Sequence, residues 1–524
     1  MKVISGNNLT IEDVCDVAYN NEEVKLPDDK QFWETLESSR KFLEDYIATG
    51  VPTYGVTTGF GDSCHNQISL DKAGELQRDI CTYHGIGLGP KFDHETGRAI
   101  ILARLNGNVK GGHSAIRPEL AKMMVTLLNR DIIPVIPQLG SVGASGDLTP
   151  LSYLAAVIMG QRDVYYKGSI CPASEAFEKE KIDPLLLEAK EGLAIMNGTA
   201  VMTAVASLAW KKAERLANIS DFLTAVTAEI IRAKDTPFVE AVSKIKNHRG
   251  QCESASYIYD IIKDSKRVYK YEEFLETQIE KLEGKTFVSQ KNKIQDKYSI
   301  RCAPQITGVY RDTLNFARDL ITEELNSAND NPLVDIDMGY LYNTGNFYGG
   351  HICAACDYMR TALANIADLS DKQAEVIIDG KFNGLTENLI PVTPPDHPRS
   401  GLRLGFKALQ ITISALRGEI ATFCFPVSLT SAPTEALNQD KVSMGTISAR
   451  KFSEQIELLF LQYACHILAA MQAIDLAGKE NFSHFANEVH DKIRKLSDFV
   501  EDDRELDKDA EKVAIWLKTT NLFA

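Results

Sequence analysis

The chain has 524 residues and a formal net charge of −15, which argues against a nucleic-acid-binding surface or a basic face that meets a membrane. Its apolar fraction of 44% and charged fraction of 25% are ordinary for a globular protein with a large core. Residues 1–6 lack the apolar segment of a secretory signal, and ten irregularly spaced cysteines favour reduced thiols over a disulfide framework. We therefore expect a cytoplasmic protein with no nucleic-acid and no membrane partner.

The first 200 residues are rich in loops and carry most of the glycine motifs, with a short hairpin predicted around residues 163–168. Further along, apolar residues recur at the i, i+3, i+4 spacing of helices. This period predicts long helices at 201–233, 304–325, 353–378, 405–423 and 447–477. Helices of this length indicate a largely buried bundle. We divide the chain into a loop-rich N-terminal domain (1–200), a central long-helix bundle (201–480) and a polar C-terminal helical segment (481–524).

Two other patterns have structural interpretations. The uncharged stretches 192–210 and 458–474 contain polar residues such as Asn197 and His466, so buried core segments fit them better than membrane spans. The pair Cys353 and Cys356 has neither a second pair nor a redox-motif context, which favours core thiols one helical turn apart. We expect no metal site.

The tripeptide Ala144-Ser145-Gly146 has the residue types for an internal electrophile. In a tight kink, the amide nitrogen of Gly146 can attack the carbonyl of Ala144, and loss of water from the ring and from Ser145 leaves a methylidene group conjugated to a carbonyl. Gly146 permits the bend because it has no Cβ. Asp147 stands at the N-cap position before an apolar run, which places the kink at a helix N-terminus that favours negative charge.

The segment GSVGASGDL at 140–148 resembles the signature of the aromatic amino-acid ammonia-lyase and aminomutase family, which includes histidine, phenylalanine and tyrosine ammonia-lyases. The similarity covers roughly residues 5–480. Further matching segments, in order, are YGVTTGFG at 54–61, EGLAIMNGT at 191–199, QDKYSIRCAPQ at 295–305, NDNP at 329–332, GNF at 345–347 and NQD at 438–440.

The resemblance implies a mostly α fold, with the long helix bundle of the ammonia-lyase (fumarase/aspartase-like) type and a loop-rich N-terminal part at the active site. It implies a homotetramer in which each active site draws on more than one subunit. It also implies 4-methylidene-imidazol-5-one, formed autocatalytically from Ala144, Ser145 and Gly146, as the prosthetic group. No external cofactor is expected.

The same resemblance assigns roles to four catalytic side chains. Tyr54 is expected to be the base, which requires a pKa below the ordinary value of about 10 or a geometry that favours the phenolate. Arg301 has the planar fork that clamps a carboxylate. Tyr298 is expected to assist proton transfer or activation of the prosthetic group, and Asn197 to hydrogen-bond the carboxylate or the imidazolone oxygen.

The remaining candidates surround the substrate. Gly61, with the other glycines near Tyr54, suggests a mobile loop that closes over the substrate. Gln295 is expected to orient the catalytic groups, and Phe347 either lines the aromatic pocket or belongs to the core. Glu435 either approaches the substrate amine, as in the phenylalanine-lyase branch, or is a structural carboxylate.

Selectivity is expected to lie in the segment that contains Tyr83 and His84. His84 aligns with the histidine of histidine lyases and some tyrosine enzymes, and a phenyl ring would leave it unpaired; the alternative is a histidine satisfied by the backbone. Gln439 stands where histidine lyases typically have a glutamate, which weakens the histidine interpretation. Tyr83 departs from the common serine. His84 and Gln439 together favour L-tyrosine, with L-histidine close behind.

The sequence therefore predicts an ammonia-lyase that converts an L-aromatic amino acid into an arylacrylate of the coumarate or urocanate type. One alternative is a 2,3-aminomutase that makes a β-amino acid with the same prosthetic group. A more distant alternative is a catalytically inactive tetrameric homologue.

Overall fold

The computed structural model describes residues 1–524, and helices dominate it. The chain forms two compact units, each assembled from separated stretches of sequence. We call Met1–Lys211, Phe316–Asp357 and Phe425–Ser453 the first unit, and Lys212–Asn315, Tyr358–Cys424 and Glu454–Ala524 the second unit. The predicted mostly α fold is confirmed. The predicted boundaries at residues 200 and 480 stay a prediction.

Four helices exceed twenty residues: Ala200–Ile230, Ala303–Leu325, Gly350–Ile378 and Gly445–Ala477. They confirm four of the five long helices that the apolar period predicts, and Lys407–Thr422 confirms the fifth. Gly445–Ala477 is long and apolar enough to cross a membrane, yet 83% of its most apolar stretch is buried in the protein. Its Gln462 and Gln472 are also buried and donate to backbone carbonyls, as expected for a core helix.

The shorter helices divide evenly between the units. Those of the first unit are Ile11–Tyr19, Lys30–Ala48, Ala73–Tyr83, His94–Val109, Pro118–Asn129, Leu148–Ile158, Ala173–Glu180 and Glu191–Met196. Those of the second unit, besides Lys407–Thr422, are Glu240–Lys246, Arg249–Ile262, Tyr271–Thr277, Tyr298–Arg301, Gly380–Asn383, His484–Ile493 and Asp507–Thr519.

All strands are short and lie in the first unit. Two antiparallel pairs join Leu88–Lys91 to Pro137–Leu139 and Leu333–Asp335 to Tyr340–Tyr342. A three-stranded antiparallel sheet consists of Ile132–Pro134, Asp163–Tyr166 and Ser169–Pro172. Lys2–Val3 pairs in parallel with Val24–Lys25. The predicted hairpin is confirmed. Its two-residue loop has positive φ at both Lys167 and Gly168, as a tight hairpin of this length requires.

The loop that carries Tyr54 rests on a small apolar core. Val56 is fully buried and packs in one cluster with Leu43 and Ile47 of helix Lys30–Ala48 and with Val334. Burial of a valine side chain contributes roughly 1.5–3 kcal/mol. The base of the loop is therefore anchored, although its tip contains three glycines, at positions 55, 59 and 61.

Candidate functional site

A cavity of about 510 Å³ lies in the first unit. Its lining includes ten of the fourteen predicted site residues: Tyr54, Gly61, Tyr83, His84, Ala144, Ser145, Asn197, Phe347, Glu435 and Gln439. These residues come from positions that are as much as 385 apart in the sequence, so the fold brings the separate motifs together.

The backbone bends at Gly146, within the tripeptide that is expected to cyclise. Gly146 has φ +73°, and a Cβ there would lie 2.1 Å from the carbonyl oxygen of Gly198. Asn197 Nδ2 donates to the carbonyl of Ser145 at 2.8 Å, and the Gly198 N–H donates to the same oxygen at 3.3 Å. In return, the Asp147 N–H donates to the Gly198 carbonyl at 2.7 Å. The asparagine segment therefore holds the tripeptide in its bend, and only glycine fits at position 146.

Asp147 occupies the predicted N-cap position of helix Leu148–Ile158, but its side chain does not cap that helix. The fully buried carboxylate instead accepts from Ser141 Oγ at 3.0 Å, from the Met202 N–H at 2.9 Å and from the Thr446 hydroxyl. Burial raises the pKa of Asp147 to about 6, against the opposing effect of these donors. The residue joins the tripeptide to helices Ala200–Ile230 and Gly445–Ala477.

Tyr54 points its hydroxyl oxygen toward a backbone donor. The Gly61 N–H donates to Tyr54 Oη at 3.0 Å. Burial nevertheless raises the pKa of Tyr54, the Gly61 hydrogen bond opposes the rise, and Cys64 and Glu435 add to it. The lowered pKa expected for a base is thus not found within this chain, because burial outweighs the one donor that favours the phenolate.

Glu435 is bound to the loop of Tyr54. Its two carboxylate oxygens accept from the Asp62 N–H at 2.9 and 3.0 Å. A Cβ at Gly61 would lie 2.2 Å from Glu435 Oε2, so glycine is needed for this approach. Glu435, Ala436 and Leu437 all have φ between 50° and 66°, a conformation that is costly for non-glycine residues. The carboxylate therefore closes one side of the cavity on a strained turn.

Gln439 lies beside the tripeptide. Its Oε1 accepts from Thr434 Oγ1 at 2.6 Å, which orients the amide, and its Nε2 lies 3.5 Å from Ser145 Oγ. A neutral amide donor therefore faces the serine of the tripeptide.

Tyr83 and His84 end helix Ala73–Tyr83 at the cavity, with ring centroids 4.4 Å apart. Burial lowers the pKa of His84 to about 4, so the imidazole is neutral near pH 7. Beyond them, Tyr153 Oη accepts from the Gly87 N–H at 3.1 Å, and Arg162 lies 4.3 Å over the Tyr153 ring. Tyr153 therefore contacts the chain three residues after His84.

The other three predicted side chains lie in the second unit. Gln295 and Arg301 line a cleft of about 360 Å³ there, and the Arg301 guanidinium lies 4.3 Å over the ring of Tyr298, which is 70% exposed. Tyr298 and Arg301 begin and end one short helix, and residues three apart lie on the same helical face. Arg301 Nε donates to the Asp296 carbonyl at 3.2 Å, while Lys234 Nζ lies 3.3 Å from Asp296 Oδ1.

The model of the family described as "aromatic amino acid lyase" matches residues 9–495 of the chain. The chain belongs to this family. It is a carbon–nitrogen lyase.

Among its relatives is a histidine ammonia-lyase of Geobacillus sp. (strain WCH70), which is 36% identical over 99% of this chain and 96% of the relative. Among solved structures, tyrosine aminomutase from Streptomyces globisporus matches with a TM-score of 0.93 and 34% identity, over 99% of this chain and 96% of that one. Histidine ammonia-lyase from Trypanosoma cruzi matches with a TM-score of 0.86 and 27% identity, over 99% and 93% of the two chains.

Several residues that line the lyase's cavity were not predicted as site residues. Phe60, Leu148 and Leu193 lie within the matching segments 54–61, 140–148 and 191–199, so their place in a motif was the available signal. Ile80 gave no such signal, because an apolar residue in helix Ala73–Tyr83 does not reveal which space it faces. Lys441 also lines the cavity and follows the NQD segment directly, so its position beside a motif was the available signal.

A buried ion pair was also missed. Lys190 Nζ lies 2.8 Å from Asp330 Oδ2, and both side chains are fully buried. Burial lowers the pKa of Lys190, and its ammonium also donates to the Ser114 carbonyl at 2.9 Å. The pair joins the start of helix Glu191–Met196, which leads to Asn197, to the NDNP segment.

Proposed function

We propose that this lyase eliminates ammonia from an L-aromatic amino acid, with L-tyrosine preferred, and releases the corresponding arylacrylate, which for tyrosine is a coumarate. The reaction must remove a weakly acidic hydrogen from the β-carbon and expel an amine that is a poor leaving group. The observation that carries the proposal is the single cavity that contains Tyr54, Ser145 and His84. A proton acceptor, an electrophile precursor and a polar partner for a substituted ring lie in one space.

The residues fit the 4-methylidene-imidazol-5-one that the family resemblance implies. Gly146 has the required bend, Asn197 and Gly198 donate to the Ser145 carbonyl, and the buried Asn197 Oδ1 has no hydrogen-bond partner in the chain. A buried oxygen without a hydrogen bond costs free energy, which supports a further hydrogen-bond donor beside Asn197 Oδ1. Once formed from Ala144, Ser145 and Gly146, the group supplies an electrophile for the substrate amine.

Tyr54 is proposed as the base that takes the β-proton. The Gly61 N–H holds its oxygen in the cavity and favours the phenolate. Since burial raises the Tyr54 pKa, the base requires further positive charge near it during the reaction. We infer that Gln295, Tyr298 and Arg301 complete the site in a homotetramer, in which each active site draws on more than one subunit. Arg301 then binds the substrate carboxylate and supplies that charge.

The far end of the substrate ring is assigned to Tyr83 and His84. A neutral imidazole accepts a hydrogen bond from a phenol, whereas a phenyl ring offers no partner. The amide of Gln439 stands where histidine lyases, according to the family resemblance, have a carboxylate that pairs with imidazole. The similarity to a tyrosine aminomutase also supports tyrosine. L-Histidine is the second candidate, supported by relatives named histidine ammonia-lyase.

A 2,3-aminomutase is the alternative reaction, because the structures that match with a TM-score of 0.93 include tyrosine and phenylalanine aminomutases. Such an enzyme returns the amine to the β-carbon, and no single cavity residue distinguishes it from a lyase. A catalytically inactive homologue is disfavoured by the intact set Tyr54, Asn197, Tyr298 and Arg301 with the Ala-Ser-Gly tripeptide.

The test is a parallel assay of the purified protein with L-tyrosine, L-histidine and L-phenylalanine, which follows arylacrylate absorbance and identifies amines by mass spectrometry. We expect the arylacrylate band to rise fastest with L-tyrosine. A larger rate with L-histidine would contradict the substrate assignment, and a β-amino acid as the main product would replace the lyase with the mutase. No product from any of the three would contradict the proposal as a whole.

A further inference from the structure

We propose that Gln77, which lies outside the cavity lining, is a positioning residue that fixes the Tyr54 loop against the helix leading to Asn197. The inference rests on the proposed function, in which Tyr54 is the base and Asn197 contacts the tripeptide that forms the electrophile. Gln77 is fully buried in helix Ala73–Tyr83, the helix that ends at Tyr83 and His84. This helix therefore carries one part of the site at its end, and the Gln77 amide contacts two others.

The amide of Gln77 is used at both ends. Its Nε2 donates to the carbonyl of Gly55 at 2.8 Å, and its Oε1 accepts from the Leu193 N–H at 3.0 Å. Gly55 directly follows Tyr54, and Leu193 lies in helix Glu191–Met196, whose next residue is Asn197. Because the nitrogen end donates and the oxygen end accepts, the two hydrogen bonds fix the amide in one orientation. An apolar side chain of similar length, such as methionine, offers neither function.

The backbone segments around Gln77 are closely packed at two glycines. A Cβ at Gly192 would lie 2.3 Å from the Gln77 carbonyl oxygen, and a Cβ at Gly55 would lie 2.7 Å from Leu193 Cδ2. Helix Ala73–Tyr83 and helix Glu191–Met196 therefore meet at a glycine, and the Tyr54 loop meets the second helix at another. The Gln77 amide lies at this junction and supplies polar contacts that bridge the loop and the helix.

The hydrogen bond from the Leu193 N–H to Gln77 also satisfies the start of a helix. The Leu193 N–H is one of the first N–H groups of its helix and has no acceptor within that helix, so a buried start needs a side-chain partner. Loss of the Gln77 acceptor leaves this donor unsatisfied, and loss of the Gln77 donor releases the carbonyl next to Tyr54. A displacement near 1 Å of a reacting group costs about 10²-fold in rate. The expected consequence is a lower kcat rather than weaker substrate binding.

The first experiment compares Gln77→Met, which keeps the shape and removes both hydrogen bonds, with Cys81→Ala, a buried change one turn further along the same helix. Gln77→Met should lower kcat by about 10- to 100-fold. Its KM should stay within about threefold, because a lost positioning contact acts mainly on the transition state. Cys81→Ala should retain near-normal kcat. Equal losses in both variants, or a kcat for Gln77→Met within twofold of the parent, would overturn the proposal.

The second variant is Gln77→Glu, which accepts from Leu193 in either protonation state but donates to Gly55 only when protonated. Burial raises the pKa of a carboxyl group at such a site. The ratio of variant to parent kcat should therefore increase as the pH falls. A ratio that is constant with pH would show that donation to Gly55 has no positioning role.

Amide hydrogen exchange separates failure of this inference from failure of the proposed function, because it needs no turnover. In Gln77→Met, peptides covering 54–61 and 191–197 should exchange faster than in the parent, while a peptide covering 148–158 should not change. Unchanged exchange in both site peptides would overturn the positioning role even if the parent enzyme proves active. Faster exchange in Gln77→Met than in the parent, together with a parent that shows no lyase activity, would retain the positioning role and reject the function.

Discussion

Predicted site residues lie both in the cavity of the first unit and in the cleft of the second unit, but they differ in hydrogen bonding and exposure. In the cavity, the Tyr54 hydroxyl and the Ser145 carbonyl receive backbone or side-chain donors from neighbouring loops. In the cleft, Tyr298 is 70% exposed and stacks under Arg301. The tripeptide that is proposed to form the electrophile is therefore held in place by contacts within one chain. The residues that are proposed to bind the carboxylate, by contrast, lie in a cleft beside an exposed tyrosine.

The difference follows from what each chemistry needs. A backbone cyclisation needs a fixed bend, and the bend at Gly146 depends on close contact with Gly198. A guanidinium needs only an anchored segment, and Asp296 with Lys234 anchors the segment before Arg301. We therefore expect substitutions of Tyr54 and of the tripeptide to act on kcat, and substitutions in the cleft to act on substrate binding.

Among substitutions that leave the tripeptide intact, the largest effect should come from Tyr54→Phe. Removing the proposed base should lower kcat by about 10²- to 10⁴-fold while the prosthetic group still forms. Steady-state kinetics and intact mass measure the two properties separately, and Tyr46→Phe, outside the cavity lining, is the matched control. A fully active Tyr54→Phe variant would remove Tyr54 as the base.

Arg301→Lys tests the cleft. Lysine retains the charge but loses the planar fork, so KM should rise roughly 10- to 100-fold, corresponding to one or two charged hydrogen bonds, with a smaller change in kcat. Arg249→Lys, at an exposed arginine of the same unit, is the control. A drop in kcat with unchanged KM would assign Arg301 to the chemical step instead and break the contrast between the two regions.

His84→Phe tests the far end of the cavity. The ratio of kcat/KM for L-tyrosine to that for L-phenylalanine should fall at least about tenfold, because the polar partner of the phenol is lost and an apolar ring is gained. Competition assays with both amino acids measure the ratio directly. Unchanged selectivity would place His84 outside substrate recognition.

Asp147 should affect stability more than rate. Its folded pKa of about 6 lies above the ordinary 3.8, so its contribution to stability is fully present below about pH 4 and is lost as the pH rises through about 6. Two pKa units correspond to about 3 kcal/mol as an upper bound. Urea unfolding of the parent and Asp147→Asn across this window should show their difference in unfolding free energy changing by up to that amount. A constant difference would contradict the raised pKa.

The sequence predicted the long helices well because their apolar period is local. The segment 353–378, for example, differs from helix Gly350–Ile378 only at its start. The hairpin at Asp163–Tyr166 and Ser169–Pro172 was also predicted, from a local turn. Two discontinuous units could not be read in the same way, because they depend on contacts between distant stretches.

At the site, the motifs predicted ten of the residues that line the cavity, while the electrostatics of these residues depend on the fold. The position of Asp147 before its helix was predicted, but the three donors to its carboxylate come from segments 6 to 299 residues away. Tyr54 was expected to have a lowered pKa or a geometry that favours the phenolate. Its Oη accepts from the Gly61 N–H, but burial raises its pKa, and burial cannot be inferred from a glycine-rich loop. Gln77 has no motif of its own and is visible only through its two partners.

The most direct test of the account is the intact mass of the purified protein beside that of Ser145→Ala, together with their activities. If Ala144, Ser145 and Gly146 form the electrophile, the parent should be lighter than its sequence by two water molecules, and the variant should be folded, lack that loss and be inactive. A parent of full sequence mass, or a Ser145→Ala variant with near-normal turnover, would contradict the central claim.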